Sequence, residues 1–298
     1  MIEIPNFFPN FAEYNIPVGE NVWYARIGGS GPPLILLHGY PQNHAMWRDV
    51  APGLCERFTT IVPDLRGYGR SSVPPSTKGT AYAKRVMSDD IVALMRGLGH
   101  RRFRIAGHDR GGRVAYRLAL DHPECVEKLA VLDILPTSEM WGAMDAYLAM
   151  KVYHWMFLAQ PEPMPELLIA RAWREYVDHT LASWTADGSL APFHFEALES
   201  YRAAFADPAR VHAMCEDYRA GATLDRAADE ADVAAGAKIA SPLLALWGDH
   251  GIPAASGHPL DVWRRWASDV SGHGVACGHF LPEEAPEATL AALLAFFV

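Results

Sequence analysis

Short apolar runs set the rhythm of this chain. Pro33 to Leu37, Thr59 to Val62, Phe103 to Ala106 and Leu129 to Leu132 are compact and largely apolar, the pattern of strands buried on both faces. Asn21 to Ile27 read as a further strand, followed by a turn at Gly28 to Gly31. Helical spacing runs from Tyr82 to Leu98, with Val86, Ile91, Leu94 and Met95 on one face, and again from Arg113 to Leu120. Strands alternating with helices predict βαβ units and a mainly parallel sheet flanked by helices, an α/β fold. The rhythm breaks at Pro136. From there to Asp232 no strand is evident; the segment is helical in character, rich in Trp, Tyr, Met and Ala, with loop signals at Pro161-Glu162-Pro163 and Ala206-Asp207-Pro208. Strand character returns at Pro242 to Trp247 and Gly274 to Ala276, with helices at Leu260 to Trp266 and Pro286 to Phe297. The expected organisation is a core domain made of residues 1–135 and 233–298, with residues 136–232 inserted as a helical cap. Ligands of parallel sheets gather at the carboxyl ends of the strands. His38, Asp64, Asp109 and Asp133 all fall where a strand is expected to end, which places them on one edge of the sheet.

Composition narrows the partners. The 298 residues are 50% hydrophobic and 20% charged, enough for a large buried core. A net charge of −9 argues against nucleic acid or an anionic membrane as partner. It also means that an anionic substrate would be captured by local positive groups, not by the overall field. Cys55, Cys125, Cys215 and Cys277 share no short spacing and read as free thiols in a reducing compartment. The N-terminal stretch has an acid and prolines where a signal peptide would have a basic and an apolar region, and no apolar run is long enough to span a bilayer. A cytoplasmic protein is expected. The 13 histidines contain no H-x-x-x-H or closer pair, and there is no P-loop or Gly-x-Gly-x-x-Gly fingerprint, so neither a metal nor a cofactor is expected.

The chemistry centres on Gly107-His108-Asp109-Arg110-Gly111. Between an expected strand and helix, G-x-nucleophile-x-G resembles the nucleophile elbow of the α/β-hydrolases. The tip is a carboxylate. A serine attacking a saturated carbon would leave an ether, which activated water cannot cleave; a carboxylate leaves an ester, which it can. Asp109 therefore implies displacement at a saturated carbon followed by ester hydrolysis, which suits carbon–halogen bonds and epoxides. His279, in Gly278-His279-Phe280 ahead of the final helix, is the candidate base in the chain order of that fold. The orienting acid is Asp133 or Asp249. The usual position after the Trp247-Gly248 strand end is occupied here by Gly251, which favours Asp133. The His38-Gly39-Tyr40-Pro41 turn offers the Tyr40 backbone N–H to an oxyanion, with the Arg110 N–H as second donor. Arg110 and Arg113 share a helix face beside the nucleophile. Cations at a helix N-terminus oppose the macrodipole and call for an anion. They suit a substrate carboxylate, although local pairing would also account for them.

Taken together, G-H-D-R-G-G-R, H-G-Y-P, L-D-I-L-P, Y-H-W, C-E-D-Y-R-A-G and G-H-F-L-P-E-E closely resemble the haloacetate dehalogenases, including those that act on fluoroacetate. The resemblance runs over nearly the whole chain. It implies Asp109 as nucleophile, His279 as base and Asp133 as its orienting acid. Arg110 and Arg113 would bind carboxylate, and His154, Trp155 and Tyr218 halide. It also implies a homodimer. An indole N–H, a phenol O–H and an imidazole N–H would serve a leaving halide without adding a full charge. Trp184 is a further candidate pocket residue. An epoxide hydrolase with the same nucleophile, or a non-catalytic relative that binds a small acid, are the alternatives.

Overall fold

A computed structural model of the protein describes residues 7–298. The stretch read for a leader lies in part, Met1–Asn6, outside them. Eight strands form one sheet: β1 (Phe11–Val18), β2 (Asn21–Gly28), β3 (Pro33–Leu37), β4 (Thr59–Pro63), β5 (Phe103–His108), β6 (Val126–Leu132), β7 (Leu243–Gly248) and β8 (Val270–Val275). Their order across the sheet is β1-β2-β4-β3-β5-β6-β7-β8. β1 pairs with β2, and β2 with β4, antiparallel; every later pairing is parallel. This is the mainly parallel sheet that the apolar runs predict. Leu34 to Leu37, Ile105, Ala106 and Leu129 to Leu132 are fully buried, as strands covered on both faces must be.

The strand that the pattern misses is at one edge and the one it shortens most is at the other; inside the sheet, β5 runs on to His108 and β6 starts at Val126, beyond the apolar runs that announce them. In β1 only Phe11 and Ile16 are buried, because it borders solvent and pairs on one side only. β8 reads S-G-H-G in its middle and begins four residues before the expected Gly274, again with an alternating, half-exposed face. Edge strands need no continuous apolar run. Helices Lys84–Gly97 and Asp109–Asp121 pack against each other, and Ala51–Leu54 packs against the C-terminal helix Pro286–Phe297. Between β6 and β7 the described chain forms helices alone, from Thr137 to Ala235. The insert therefore leaves the sheet at the carboxyl end of one strand and rejoins it at the start of its neighbour. Helix Pro208–Ala220 is its hub, packing on Tyr153–Leu158, Met164–Arg171 and Phe195–Phe205. No helix is long and apolar enough to cross a membrane among the described residues.

Candidate active site

The elbow is as tight as its glycines suggest. A Cβ on Gly107 would lie 2.4 Å from the Gly111 carbonyl oxygen, and one on Gly111 2.3 Å from that of His38. Both neighbours are backbone and cannot yield, so only glycine lets β5 turn directly into its helix. The helix begins at Asp109 itself, four residues earlier than the spacing indicates. Asp109 takes a φ of 47°, a left-handed conformation that side chains other than Gly, Asn and Asp rarely adopt.

That conformation sets the two Asp109 oxygens apart. Oδ1 accepts the Tyr40 backbone N–H at 2.9 Å. Oδ2 lies 3.9 Å from His279 Nε2. The Arg110 N–H, the other expected oxyanion donor, sits in the first turn of the helix, where no intrahelical acceptor exists for it. Burial pushes the Asp109 carboxyl up, but His279, His108, Arg110 and Arg113 together hold it below the usual carboxylate value, so it is ionised at neutral pH.

His279 is brought to Asp133. Its Nδ1 lies 2.6 Å from Asp133 Oδ2, and Asp133 Oδ1 accepts the Gly248 N–H at 2.9 Å. With Nδ1–H committed to the carboxylate, Nε2 carries the lone pair; it is buried and has no partner among the described residues. Burial lowers the His279 pKa, but Asp133, and after it Asp109, raise it above its ordinary 6.5. Asp249, the rival acid, is exposed. The glycine at the usual acid position is also explained. A Cβ on Gly251 would stand 2.5 Å from Asp133 Oδ1, so a side chain there and Asp133 exclude each other. His38 is spent on the backbone: Nε2 accepts the Leu65 N–H at 2.9 Å and Nδ1 donates to the Gly39 carbonyl at 3.0 Å. Asp64 is likewise occupied, accepting the backbone N–H groups of His44 at 2.8 Å and Arg70 at 2.7 Å.

The two arginines are not equivalent. Arg110 is paired: its Nε donates to Asp217 Oδ1 at 3.1 Å and its Nη2 to the Asp217 carbonyl at 2.7 Å. Lys84 shares the same carboxylate. Asp217 was not evident in the sequence as a site residue, although it lies in C-E-D-Y-R beside Tyr218. Nothing in periodicity reveals a charge pair closed between distant elements. Arg113 is 3% exposed, yet none of its nitrogens meets a carboxylate among the described residues. Nη1 donates to the Leu135 carbonyl and to Thr137 Oγ1, each at 3.0 Å. Nε is buried with no partner among the described residues. The guanidinium lies 4.6 Å over the Trp155 ring. Burial lowers its pKa, though not enough to discharge a guanidinium at any physiological pH. Asp109 attracts it only across a distance, and a buried cation with no carboxylate in contact is costly unless an anion joins it.

A cavity of about 440 Å³ opens above these groups, between the strand ends and the insert. Asp109, Arg113, Asp133 and His279 line it from the sheet, and His154, Trp155 and Trp184 from the insert. Trp184 lies with its ring 4.5 Å from that of His154 and 5.4 Å from that of His279. Tyr218 stands edge-on to both His154, at 5.5 Å, and Trp155, at 6.5 Å. Its hydroxyl is buried with no partner among the described residues, as is His154 Nδ1. Burial drives the His154 pKa to about 3, so the ring is neutral. Burial, and then Asp109, keep the Tyr218 phenol well above its ordinary value. Of the expected halide group, His154 and Trp155 thus line the cavity as uncharged groups, while Tyr218 packs edge-on to both without being among the lining residues. The described residues contain no group of His, Cys, Asp and Glu able to hold a metal.

The sequence pattern of the alpha/beta hydrolase fold family matches residues 32–286. The chain belongs to this family. Among curated proteins the hydrolase is 41% identical, over 97% of its length and 94% of the relative's, to a fluoroacetate dehalogenase from a Burkholderia species. It is 34% identical to a soluble epoxide hydrolase from Corynebacterium, over 90% of this chain and 91% of the other. Among solved structures it superposes on a putative alpha/beta hydrolase from Nostoc with a TM-score of 0.94 and 47% identity, covering 97% and 99% of the two chains. A putative epoxide hydrolase from Pseudomonas aeruginosa superposes with a TM-score of 0.91 at 43% identity, covering 97% and 96%. The hydrolase thus has both dehalogenase and epoxide hydrolase relatives over nine-tenths or more of its length, and its own residues must discriminate.

Proposed function

We propose that this hydrolase removes the halogen from haloacetates, giving glycolate and halide. The observation that carries the reading is Arg113, a buried guanidinium with no carboxylate partner that lines the same cavity as Asp109. A haloacetate supplies the missing anion; a neutral haloalkane or epoxide does not. In this reading Arg113, with Arg110 held behind it by Asp217, fixes the substrate carboxylate. Asp109 Oδ2 attacks the α-carbon in line. Halide leaves toward His154, Trp155 and Tyr218. The ester carbonyl that forms from Oδ1 rests on the Tyr40 and Arg110 N–H groups. His279, oriented by Asp133, takes a proton from water, which attacks that carbonyl. The products are glycolate, halide and a proton; no cofactor or metal takes part. Residues 136–232 act as the cap that shuts the donors over the nucleophile. Exposed apolar side chains on it, among them Tyr147, Met150, Leu167 and Phe195, support pairing of two copies.

Halide release from fluoro-, chloro- and bromoacetate, measured side by side, tests the reading; release from none of the three by folded protein rejects it. Arg113→Met sharpens the test. It should raise KM for haloacetate so that kcat/KM falls on the order of 10²-fold or more, following about 2–5 kcal/mol for one partner of a buried charge pair. The resting enzyme should melt no lower than wild type, because an unpaired buried cation has been removed. A lowered melting temperature with unchanged KM would assign Arg113 to the scaffold instead.

The acid limb carries a further expectation. Asp109 is among the groups that raise the His279 pKa, and alkylation removes its charge. The pH at which ester hydrolysis loses its base in single-turnover measurements should therefore lie below the imidazole midpoint of resting enzyme followed by NMR. The same midpoint in both would mean that His279 does not sense Asp109.

A further inference from the structure

Tyr218 is equipped beyond the needs of a halide. A departing halide needs hydrogen bonds and no proton. The Tyr218 hydroxyl is an orphan: its residue is 2% exposed and the oxygen has no partner among the described residues. Its ring lies 4.5 Å beneath the Arg110 guanidinium, and Arg110 is itself locked by Asp217 on the preceding residue. Burial and Asp109 keep the proton on this phenol until a strong base such as an alkoxide takes it, and the Arg110 cation on the ring face is the group that opposes them. The His154 ring, 5.5 Å away, lines the cavity and is also unpartnered at Nδ1. This is the chemistry of protonating a departing alkoxide. The Arg113 cation still demands an anion, and a cavity of about 440 Å³ is several times what an acetate fills.

We propose that the site also opens short 2,3-epoxy acids, oxirane-2-carboxylates, to 2,3-dihydroxy acids. The inference rests on the haloacetate reading for its carboxylate clamp and its ester intermediate. Arg113 holds the carboxylate. Asp109 Oδ2 bonds to the ring carbon bearing it, and that carbon's bond to the oxirane oxygen breaks. The oxygen takes the Tyr218 proton, leaving a primary alcohol, an ester on Asp109 and a phenolate under Arg110. Water then hydrolyses the ester as before. The proton released when Asp109 returns to carboxylate restores Tyr218. One water is consumed and no net proton appears, whereas dehalogenation releases one.

The test compares glycidate with glycidol, the same skeleton without the carboxylate, beside bromoacetate as control. Wild-type enzyme should convert glycidate to glycerate above the buffer rate, without acid release in a pH-stat. Its kcat/KM should exceed that for glycidol on the order of 10²-fold or more, since a site built around a polar group rejects the analogue lacking it. Tyr218→Phe should depress glycidate opening far more than bromoacetate turnover, because bromide leaves without a proton. His279→Gln should accumulate protein heavier by one glycidic acid, attached at Asp109. Bromoacetate turnover without glycerate formation would overturn the inference and leave the haloacetate reading standing. Glycidol opened as fast as glycidate would overturn the anion requirement. Neither acid processed by folded enzyme would remove both readings together.

Discussion

His279→Gln enzyme should release one equivalent of halide per site from bromoacetate and then stop. The displacement step asks only for an ionised Asp109, and the arginines beside it maintain that state without the imidazole, although His279 is also among the groups that favour it. The second step is different. Water held against a buried ester needs a base, and Nε2 of His279 is the free lone pair 3.9 Å from Asp109 Oδ2. Glutamine fills the space and offers no such base. Steady-state turnover should fall by about 10²–10⁴-fold, the range for loss of a positioned general base. The stalled protein should carry the mass of one carboxymethyl group on the peptide containing Asp109. Sustained turnover, or a burst without that adduct, would place the ester or the base elsewhere.

Asp109→Ala should remove both the burst and the turnover, by on the order of 10⁵-fold or more, as for other nucleophile deletions. The fold should survive. Alanine at the left-handed φ of 47° costs about 1–2 kcal/mol, small against the stability of a typical domain. Binding should move the opposite way from catalysis. The resting site sets a substrate carboxylate beside the ionised Asp109; without it, Arg113 faces the substrate alone. Calorimetry should show haloacetate bound as tightly as by wild type or tighter. Halide release that persists in Asp109→Ala would end the covalent mechanism.

Much of this was legible in the chain because buried parallel strands and a glycine-flanked carboxylate leave local marks. Pro33 to Leu37 and the Pro286 to Phe297 helix fall where their patterns put them. β1 did not, because an edge strand that buries only Phe11 and Ile16 has no apolar run to show. The site divides the same way. Asp109 and His279 sit in turns whose shape the neighbouring glycines dictate. Asp217 and the difference between Arg110 and Arg113 depend on which of two cations a carboxylate more than a hundred residues away happens to reach. Such closure is a property of packing, and spacing alone left local pairing and substrate binding both open.

The Tyr40 N–H on Asp109 Oδ1 has an isotopic consequence. If that bond keeps the carboxylate from turning over, Oδ1 is always the carbonyl oxygen and Oδ2 always the attacking one. Each cycle then sends the Oδ2 atom out as the product hydroxyl and replaces it with an oxygen from water. In heavy-oxygen water the first glycolate formed should be unlabelled and every later one labelled. However long turnover continues, Asp109 should gain one heavy oxygen and keep one that was there from its synthesis.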